Sequence, residues 1–411
     1  MKRYSSLLAS LVVLSSIIAG TVASSDNSHA EPLTITTGSF TDVKANHWAK
    51  SSIAQAVKEG YVSGYPDGTF KPDANVSRAE FIKMVVTALH LPVGEYTTGS
   101  WYTVYAAAAA EAKLTVTSDF KDTNWDAFIN RKQMSRIAVR GIGDSTTDDL
   151  RWMYLATKKG LITGLGDGRL GEGETTTRAQ AVTIINRIFA VKSGAKLPVD
   201  KYAVGNAEIM WHGTNIFTVM PEILVTAANQ YQGKTIEELW RKDKMIINSK
   251  NNKYRWQLDA LIAIDLEDPK DPNRKLLPDI NTLKWFNNDP NRHDLMISKW
   301  KQSYVLYSKT HVVYNKDTKM FSQLSYIPFM VSGMDPPDED AYYKGISLNK
   351  QAHIYMKQVG DLPAMIIPKK GWIQYGKISF TIYIPAYSNA GYVSNQLLSV
   401  DGPKYKPDIP Y

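Results

Sequence analysis

The sequence contains no cysteine among its 411 residues. Disulfide bonds are therefore excluded, and stability must come from apolar cores, which a chain of this length supplies in two or three domains. For an exported protein, the complete lack of cysteine fits the exterior of a Gram-positive bacterium better than a eukaryotic secretory route.

Long apolar runs are also scarce, and the one that stands out lies at the N-terminus. Two basic residues precede an apolar run over residues 7–19, and small residues follow up to Ala23 or Ala30. This pattern predicts a secretory signal peptide over residues 1–30, because a membrane span needs about 18 or more apolar residues. An uncleaved N-terminal anchor is the alternative. We expect a secreted protein that makes no membrane contact after cleavage.

Acidic residues are in slight deficit, which leaves a formal net charge of +8. A mildly basic exported chain suits an anionic partner. The lysines and arginines are scattered rather than arranged in a stripe, so we do not expect nucleic acid to be that partner.

One pattern occurs three times along the first half of the chain. Residues 64–81 read GYPDGTFKPDANVSRAEF, and residues 164–181 read GLGDGRLGEGETTTRAQA. Counting forward eighteen residues from Gly60, Lys113 and Gly160 leads to Arg78, Arg131 and Arg178. The arginines are 53 and 47 residues apart, a spacing typical of repeat architectures.

Each unit is predicted to be a helix, a loop and a second helix. The first helix runs from Trp48 to Glu59 and ends at Gly60, and a Gly-Asp-Gly turn follows. A capping box begins the second helix. The two residues of this box are Ser77 and Glu80 in the first unit, Asn130 and Gln133 in the second, and Thr177 and Gln180 in the third. Such a unit is too small to bury its own apolar face, so the three must pack together.

The repeated arginines are the best candidates for ligand contacts. Each occupies the first position of a helix, where the helix dipole disfavours a cation by about 0.3 to 1 kcal/mol. A bound anion reverses that balance, because free helix amides and a guanidinium converge on it. The alternative is an arginine that bridges to a carboxylate of the neighbouring unit. The aromatic residues Trp48, Tyr65 and Trp101 serve equally well as core residues or as platforms for a sugar ring.

Residues 40–81, FTDVKANHWAKSSIAQAVKEGYVSGYPDGTFKPDANVSRAEF, resemble the S-layer homology domain over its whole length. The third unit resembles it well, and the second only weakly. The resemblance implies an all-α spindle of three helix-loop-helix repeats with ligand grooves between them. It also implies non-covalent anchoring of an exported protein to the secondary cell wall polymer of Gram-positive bacteria. The usual ligand of this family is a pyruvylated amino sugar, which is an anion.

The resemblance and the repeat pattern together give the predicted ligand contacts. These are Arg78, Arg131, Arg178, Asp42, Trp48, Gly64, Asp67, Trp101, Gly164 and Asp167. The second unit departs from the pattern at Thr117, Phe120 and Lys121, and the third lacks the leading aspartate and tryptophan. We therefore expect one groove, which depends on the second unit's loop, not to bind. An S-layer protein is a further candidate partner.

The predicted organisation is multidomain. The signal peptide is followed by the repeats at residues 38–90, 91–142 and 143–192, a linker at 193–205, and an α+β domain with a β-rich end at 206–411. In the last domain, residues 304–327 are predicted to form two strands joined near Asn315, residues 371–384 another strand, and Thr235 to Glu238 a helix start.

The C-terminal half shows no motif of a known active site. The histidines are isolated in sequence, at positions 212, 293, 311 and 353. Asp265, Glu267, Asp268 and Asp271 suggest calcium, but two prolines and no central glycine favour a solvated turn. We therefore expect no catalytic residue, metal or cofactor, and prefer a displayed binding or structural domain. The alternative is an anchored enzyme that acts on wall or extracellular polysaccharide.

Overall fold

A computed structural model describes residues 40–224, 233–285, 294–324, 328–358 and 360–401. The predicted signal peptide lies outside the described residues. Within those ranges, none of the helices is both long and apolar enough to cross a membrane. The chain combines a helical region with a C-terminal region of two antiparallel sheets.

The helical region contains paired helices, as the repeat pattern predicts. The helices are α1 (Lys50–Lys58), α2 (Arg78–Ala88), α3 (Thr103–Glu111), α4 (Arg131–Gly141), α5 (Arg151–Lys158), α6 (Arg178–Lys192) and α7 (Lys201–His212). All three predicted capping boxes are present at the starts of α2, α4 and α6. In the first box, Ser77 Oγ accepts a bond from the Glu80 amide (3.1 Å), and Glu80 Oε2 accepts one from the Ser77 amide (2.8 Å).

The segments that precede α2, α4 and α6 are joined in a closed ring of main-chain hydrogen bonds. The amide of Val76 donates to Thr176 O (2.9 Å), that of Thr176 to Ile129 O (3.0 Å), and that of Ile129 to Val76 O (3.0 Å). All three residues are fully buried. The ring places the start of each second helix beside the loop of another unit.

One apolar core fills the helical region. It includes Phe81 and Val85 of α2, Ile137 of α4, Ile185 of α6, and Trp211 of α7. The burial of these side chains offsets the small size of each unit, since no single helix pair encloses a core. Helix α7 begins within the predicted linker and runs through residue 206, the predicted start of the last domain.

The C-terminal region is built on two sheets. Helices α8 (Ile216–Val219) and α9 (Glu339–Tyr343) accompany strands β1 (Ile246–Asn248), β2 (Tyr254–Asp265), β3 (Ser303–Asn315), β4 (Phe329–Asp335), β5 (Ala352–His353), β6 (Ala364–Pro368), β7 (Ile373–Tyr383) and β8 (Ser394–Val400). The sheet orders are β1-β2-β3-β6-β5 and β4-β7-β8. Strand β2, an inner strand of the larger sheet, is buried on both faces. Leu261 and Ala263 enter one core, and Ile262 and Ile264 enter another.

Two local predictions in this region were wrong. Strand β3 does not turn back on itself near Asn315, since it pairs with β2 and β6 instead. The segment after it bends at Asp317, whose carboxylate accepts the amide of Met320 (3.2 Å). Residues 325–327 of the second predicted strand lie outside the described residues. At Thr235 the capping contact forms (3.0 Å), but only a short 3-10 turn follows, Glu237–Leu239. The predicted strand at 371–384 is confirmed as β7.

Candidate functional site

Each repeat arginine inserts its side chain into the loop of another unit. The guanidinium of Arg178 donates from Nε to Phe70 O (3.0 Å) and from Nη2 to Ser63 O (3.0 Å). Arg131 makes the same pair of bonds in the third unit, to Leu170 O (2.8 Å) and Thr163 O (2.7 Å). Both arginines thus hold the two ends of a Gly-Asp-Gly loop.

Arg78 is held differently because it enters the loop of the divergent second unit. Its Nη1 donates to Asp122 Oδ1 (2.6 Å) and to Asn124 O (2.9 Å). Its Nε is buried and has no hydrogen-bond partner among the described residues. The guanidinium lies 4.9 Å from the ring centre of Phe120, one of the residues that depart from the repeat pattern.

The loop contacts explain why a cation begins each of these helices. Carbonyl oxygens of the neighbouring loop, and Asp122 in one case, provide the negative partner that the dipole argument requires. Arg78 and Arg131 are 7% and 4% exposed. Burial lowers the pKa of Arg131. The bridge to a neighbouring carboxylate, considered above as the alternative, is present at Arg78.

Asp42 and Gly64 contribute to the shape of the first loop. The two carboxylate oxygens of Asp42 accept the amides of Phe70 (2.8 Å) and Lys71 (2.7 Å). A Cβ atom at Gly64 would lie 2.2 Å from the ring of Phe40 and 3.0 Å from Thr69 O, so the ring and the loop require glycine there.

A cationic and aromatic cluster lies on the outside of this first loop. The Nζ of Lys71 is 4.1 Å from the ring centre of Tyr65, and the guanidinium carbon of Arg178 is 5.1 Å from the same centre. Asp67 is exposed, and hydrogen bonds from Thr69 lower the pKa of its carboxyl group. This surface therefore combines the exposed Lys71 and Asp67 with a half-buried ring and a half-buried guanidinium.

The predicted tryptophans are also exposed. Trp48 is 61% exposed and stacks on His47 with the ring centres 5.8 Å apart. Trp101 is 44% exposed, and the Nζ of Lys83 lies 5.6 Å from its ring centre. In the third unit, the Gly164 amide donates to Asp200 (3.1 Å), and the exposed Asp167 has a left-handed backbone with φ of 49°.

A cleft of about 1570 Å³ lies between the second unit's loop and the third unit. Sequence reasoning missed three cations of α4 that line it, although their spacing of four residues places them on one helix face. Arg140 donates to both oxygens of the buried Asp119 (2.5 and 3.0 Å). Arg136 and Lys132 both bond to Asp149. The charges of these cations are therefore largely compensated within the cleft.

The S-layer homology domain family matches residues 39–82. This chain contains an S-layer homology domain. The match includes Asp42, the two loop amides that bond to it, and the capping box at Ser77. The ring of main-chain hydrogen bonds joins that S-layer homology domain to the segments before α4 and α6.

Curated relatives include S-layer proteins and a cellulosome-anchoring protein. An S-layer protein of Bacillus licheniformis is 30% identical over 192 residues, which is 41% of this chain and 22% of the relative. S-layer protein EA1 of Bacillus anthracis is 29% identical with the same coverage. A cellulosome-anchoring protein of Acetivibrio thermocellus is 40% identical over 65 residues, 16% of this chain and 14% of the relative. The matched part thus spans less than a quarter of these relatives.

Among the described residues outside the S-layer homology domain, the histidines considered above do not form a cluster with one another. His311 pairs with Asp259 (2.9 Å), His212 is buried with its pKa lowered to about 4 by desolvation, and His293 lies outside the described residues. Among the described residues, no three His, Asp or Glu side chains are placed to hold a metal ion. Three of the acidic residues considered for calcium make other contacts: Asp265 and Glu267 pair with Lys369, and Asp268 accepts from Tyr202.

Proposed function

We propose that this is an exported protein anchored non-covalently to the cell wall of a Gram-positive bacterium, where it displays its C-terminal region. The S-layer homology domain at residues 39–82 carries the proposal. Relatives named S-layer protein and cellulosome-anchoring protein support a place at the cell surface. An S-layer protein is a second candidate partner there.

The proposed ligand is the pyruvylated secondary cell wall polymer, bound by a spindle of three S-layer homology repeats. The closed hydrogen-bond ring supports three equivalent units, although the family match covers only the first. A repeated anionic polymer contacts several units at once, so weak grooves add up to tight retention by avidity.

In this proposal the exposed side chains touch the ligand, and the arginines mainly shape its groove. Arg78 and Arg131 are buried in neighbouring loops, so their loss would disturb the fold as well as binding. Lys71, Trp48 and Trp101 are exposed, and their rings and charge suit a pyruvylated sugar. Arg178 is half-buried and faces the same surface as Lys71.

A sedimentation assay with purified wall sacculi tests the proposal. The full chain should bind intact sacculi and lose binding when the polymer is stripped or unpyruvylated. Lys71→Ala and Trp48→Ala should each weaken binding about tenfold, the size expected from loss of one or two charge-assisted or stacking contacts. Tyr375→Ala is the matched control, since this tyrosine of β7 is 76% exposed on the C-terminal region. Equal binding to stripped and intact sacculi would contradict the proposal.

An anchored polysaccharide-degrading enzyme is the second candidate. Two relatives are named amylopullulanase and exoglucanase XynX, at 29% identity over 181 and 172 residues. These matches cover 10% and 16% of those relatives. Release of soluble sugar from the sacculi in the same assay would favour the enzyme, and retention without release favours display.

A further inference from the structure

The third unit lacks the leading aspartate and tryptophan of the first, yet residues outside its loop also hold that loop. In the first unit the residues before α1 hold the loop, where the Thr41 amide donates to Gly68 O (3.2 Å) and Phe40 packs on Gly64. Asp42 secures the end of that loop. The question is which residues replace these contacts in the third unit.

Contacts at two of the corresponding loop positions come from the chain that follows the third unit. Asp200 Oδ2 accepts the Gly164 amide (3.1 Å), and Asn206 Nδ2 donates to Gly168 O (2.8 Å). Gly164 and Gly168 correspond to Gly64 and Gly68, one hundred positions earlier. The replacement is thus made at the same two loop positions.

The fit between α7 and this loop is close. A Cβ atom at Gly168 would lie 2.6 Å from Asn206 Nδ2 and 2.9 Å from Tyr202 O, and one at Gly164 would lie 3.2 Å from the Ala203 Cβ. By comparison, a Cβ atom at Gly68 would have only Thr41 within reach, at 4.0 Å. At the position of Gly168, the third loop is therefore packed more closely against α7 than the first loop is packed against Thr41 at Gly68.

A tryptophan of the downstream chain also contacts the third unit. Asp148 stands where the first unit has Trp48, twelve residues before the helix-ending glycine. The indole Nε1 of Trp211 donates to Asp148 (2.9 Å), and the guanidinium of Arg151 lies 4.5 Å from the Trp211 ring centre. Trp211 is 4% exposed and so is buried against the third unit, whereas Trp48 of the first unit is exposed to solvent.

We infer that Asp200, Asn206 and Trp211 of the downstream chain complete the third repeat, with Asp200 and Asn206 as positioning residues for its loop. In that loop, Thr163 O and Leu170 O flank the two glycines and accept hydrogen bonds from the Arg131 guanidinium. The downstream chain therefore shapes the groove between the second and third units. Its consequence for wall binding rests on the proposed function, whereas the loop support itself does not.

Amide hydrogen exchange on the full chain tests this inference. Asp200 Oδ1 caps α7 by accepting the Tyr202 and Ala203 amides (3.1 Å each), while Oδ2 accepts the Gly164 amide of the loop. Asp200→Asn keeps one acceptor oxygen for the cap and loses the loop acceptor. Exchange in residues 163–170 should rise about tenfold, as expected for one lost hydrogen bond. Exchange in residues 63–70 should stay unchanged.

Asp243→Asn is the matched control, because Asp243 is exposed and pairs with Arg241 away from the repeats. Asn206→Ala is the second variant and should raise exchange in the same loop. The inference is overturned if residues 163–170 exchange as in the wild type, or if residues 63–70 change equally. Asp200→Asn should also lower retention on sacculi relative to Asp243→Asn. Failure of the wild type to bind sacculi would count against the proposed function alone, since the exchange measurement needs no ligand.

Discussion

At the scale of single residues, the loop glycines and the repeat arginines together fix the conformation of the loops. Arg178 spans the first loop from Ser63 O to Phe70 O, and Gly64 lets the Phe40 ring lie against the loop backbone. A residue predicted to touch ligand through its backbone is thus required by packing. We therefore expect a substitution at such a position to change the stability of the fold even in the absence of ligand.

Gly64→Ala should lower the free energy of unfolding by about 1 to 3 kcal/mol, the usual cost of overpacking. The added methyl group meets the Phe40 ring and Thr69 O, so the loop must shift. Urea unfolding of the full chain, followed by tryptophan fluorescence, measures the change.

Gly94→Ala provides the control, because a Cβ atom at that glycine meets nothing within 4 Å. Its unfolding free energy should stay within about 0.5 kcal/mol of the wild type, as at other open surface sites. If both variants unfold like the wild type, Phe40 does not require the glycine.

At the scale of elements, Glu208 joins α7 to α8. Its carboxylate is fully buried and accepts the Phe217 amide (3.2 Å) and the Thr218 hydroxyl at the start of α8. Desolvation by burial raises its pKa to about 8, against the effect of these hydrogen bonds. The junction between the helical region and the sheets therefore carries a protonated acid at neutral pH.

Stability should fall as the pH rises from about 4.5 to about 8, because the folded chain keeps a proton that the unfolded chain has released. The slope attributable to Glu208 approaches about 1.4 kcal/mol per pH unit. Glu208→Gln should remove that slope, as measured by urea unfolding at several pH values. Glu339→Gln, at an exposed position of α9, should leave it intact, and an unchanged slope in Glu208→Gln would refute the assignment.

At the scale of the whole molecule, the third unit is fixed to the C-terminal region. Glu237 accepts hydrogen bonds from Lys158 Nζ (2.5 Å) and the Tyr154 hydroxyl (3.0 Å), both on α5. Beside them, Arg151 pairs with Glu238 (2.9 Å). These contacts therefore join the C-terminal region to the helical region.

Glu237→Gln should destabilise the full chain by about 1.5 to 3 kcal/mol at neutral pH, the usual loss for a buried hydrogen bond to a charged group. Burial alone raises the pKa of Glu237, but the hydrogen bond and charge of Lys158 outweigh it and lower the pKa to about 2. The stabilisation is thus complete above about 4.5 and lost as the pH falls toward 2. Thermal unfolding at pH 7 and pH 2 measures it, and a difference that persists at pH 2 would contradict the ion pair.

The local features of this protein follow from its sequence alone. Capping boxes, turn glycines and the helix at residues 50–58 depend on neighbours within a few positions, and the structure confirms them. The S-layer homology domain was likewise identifiable, because its repeated pattern is itself a local signal. The second strand predicted after Asn315 does not form over residues 318–324, because β3 pairs instead with the distant strands β2 and β6.

Only the tertiary structure decided what each arginine and each loop contacts. Arg131 and Arg178 bond to main-chain carbonyls 32 and 115 residues away, and every residue type carries such a carbonyl. The sequence therefore holds no sign of these partners. In the same way, Asp200 and Trp211 look like parts of a linker and a new domain, and only the packing shows that they contact Gly164 and Asp148 of the third unit.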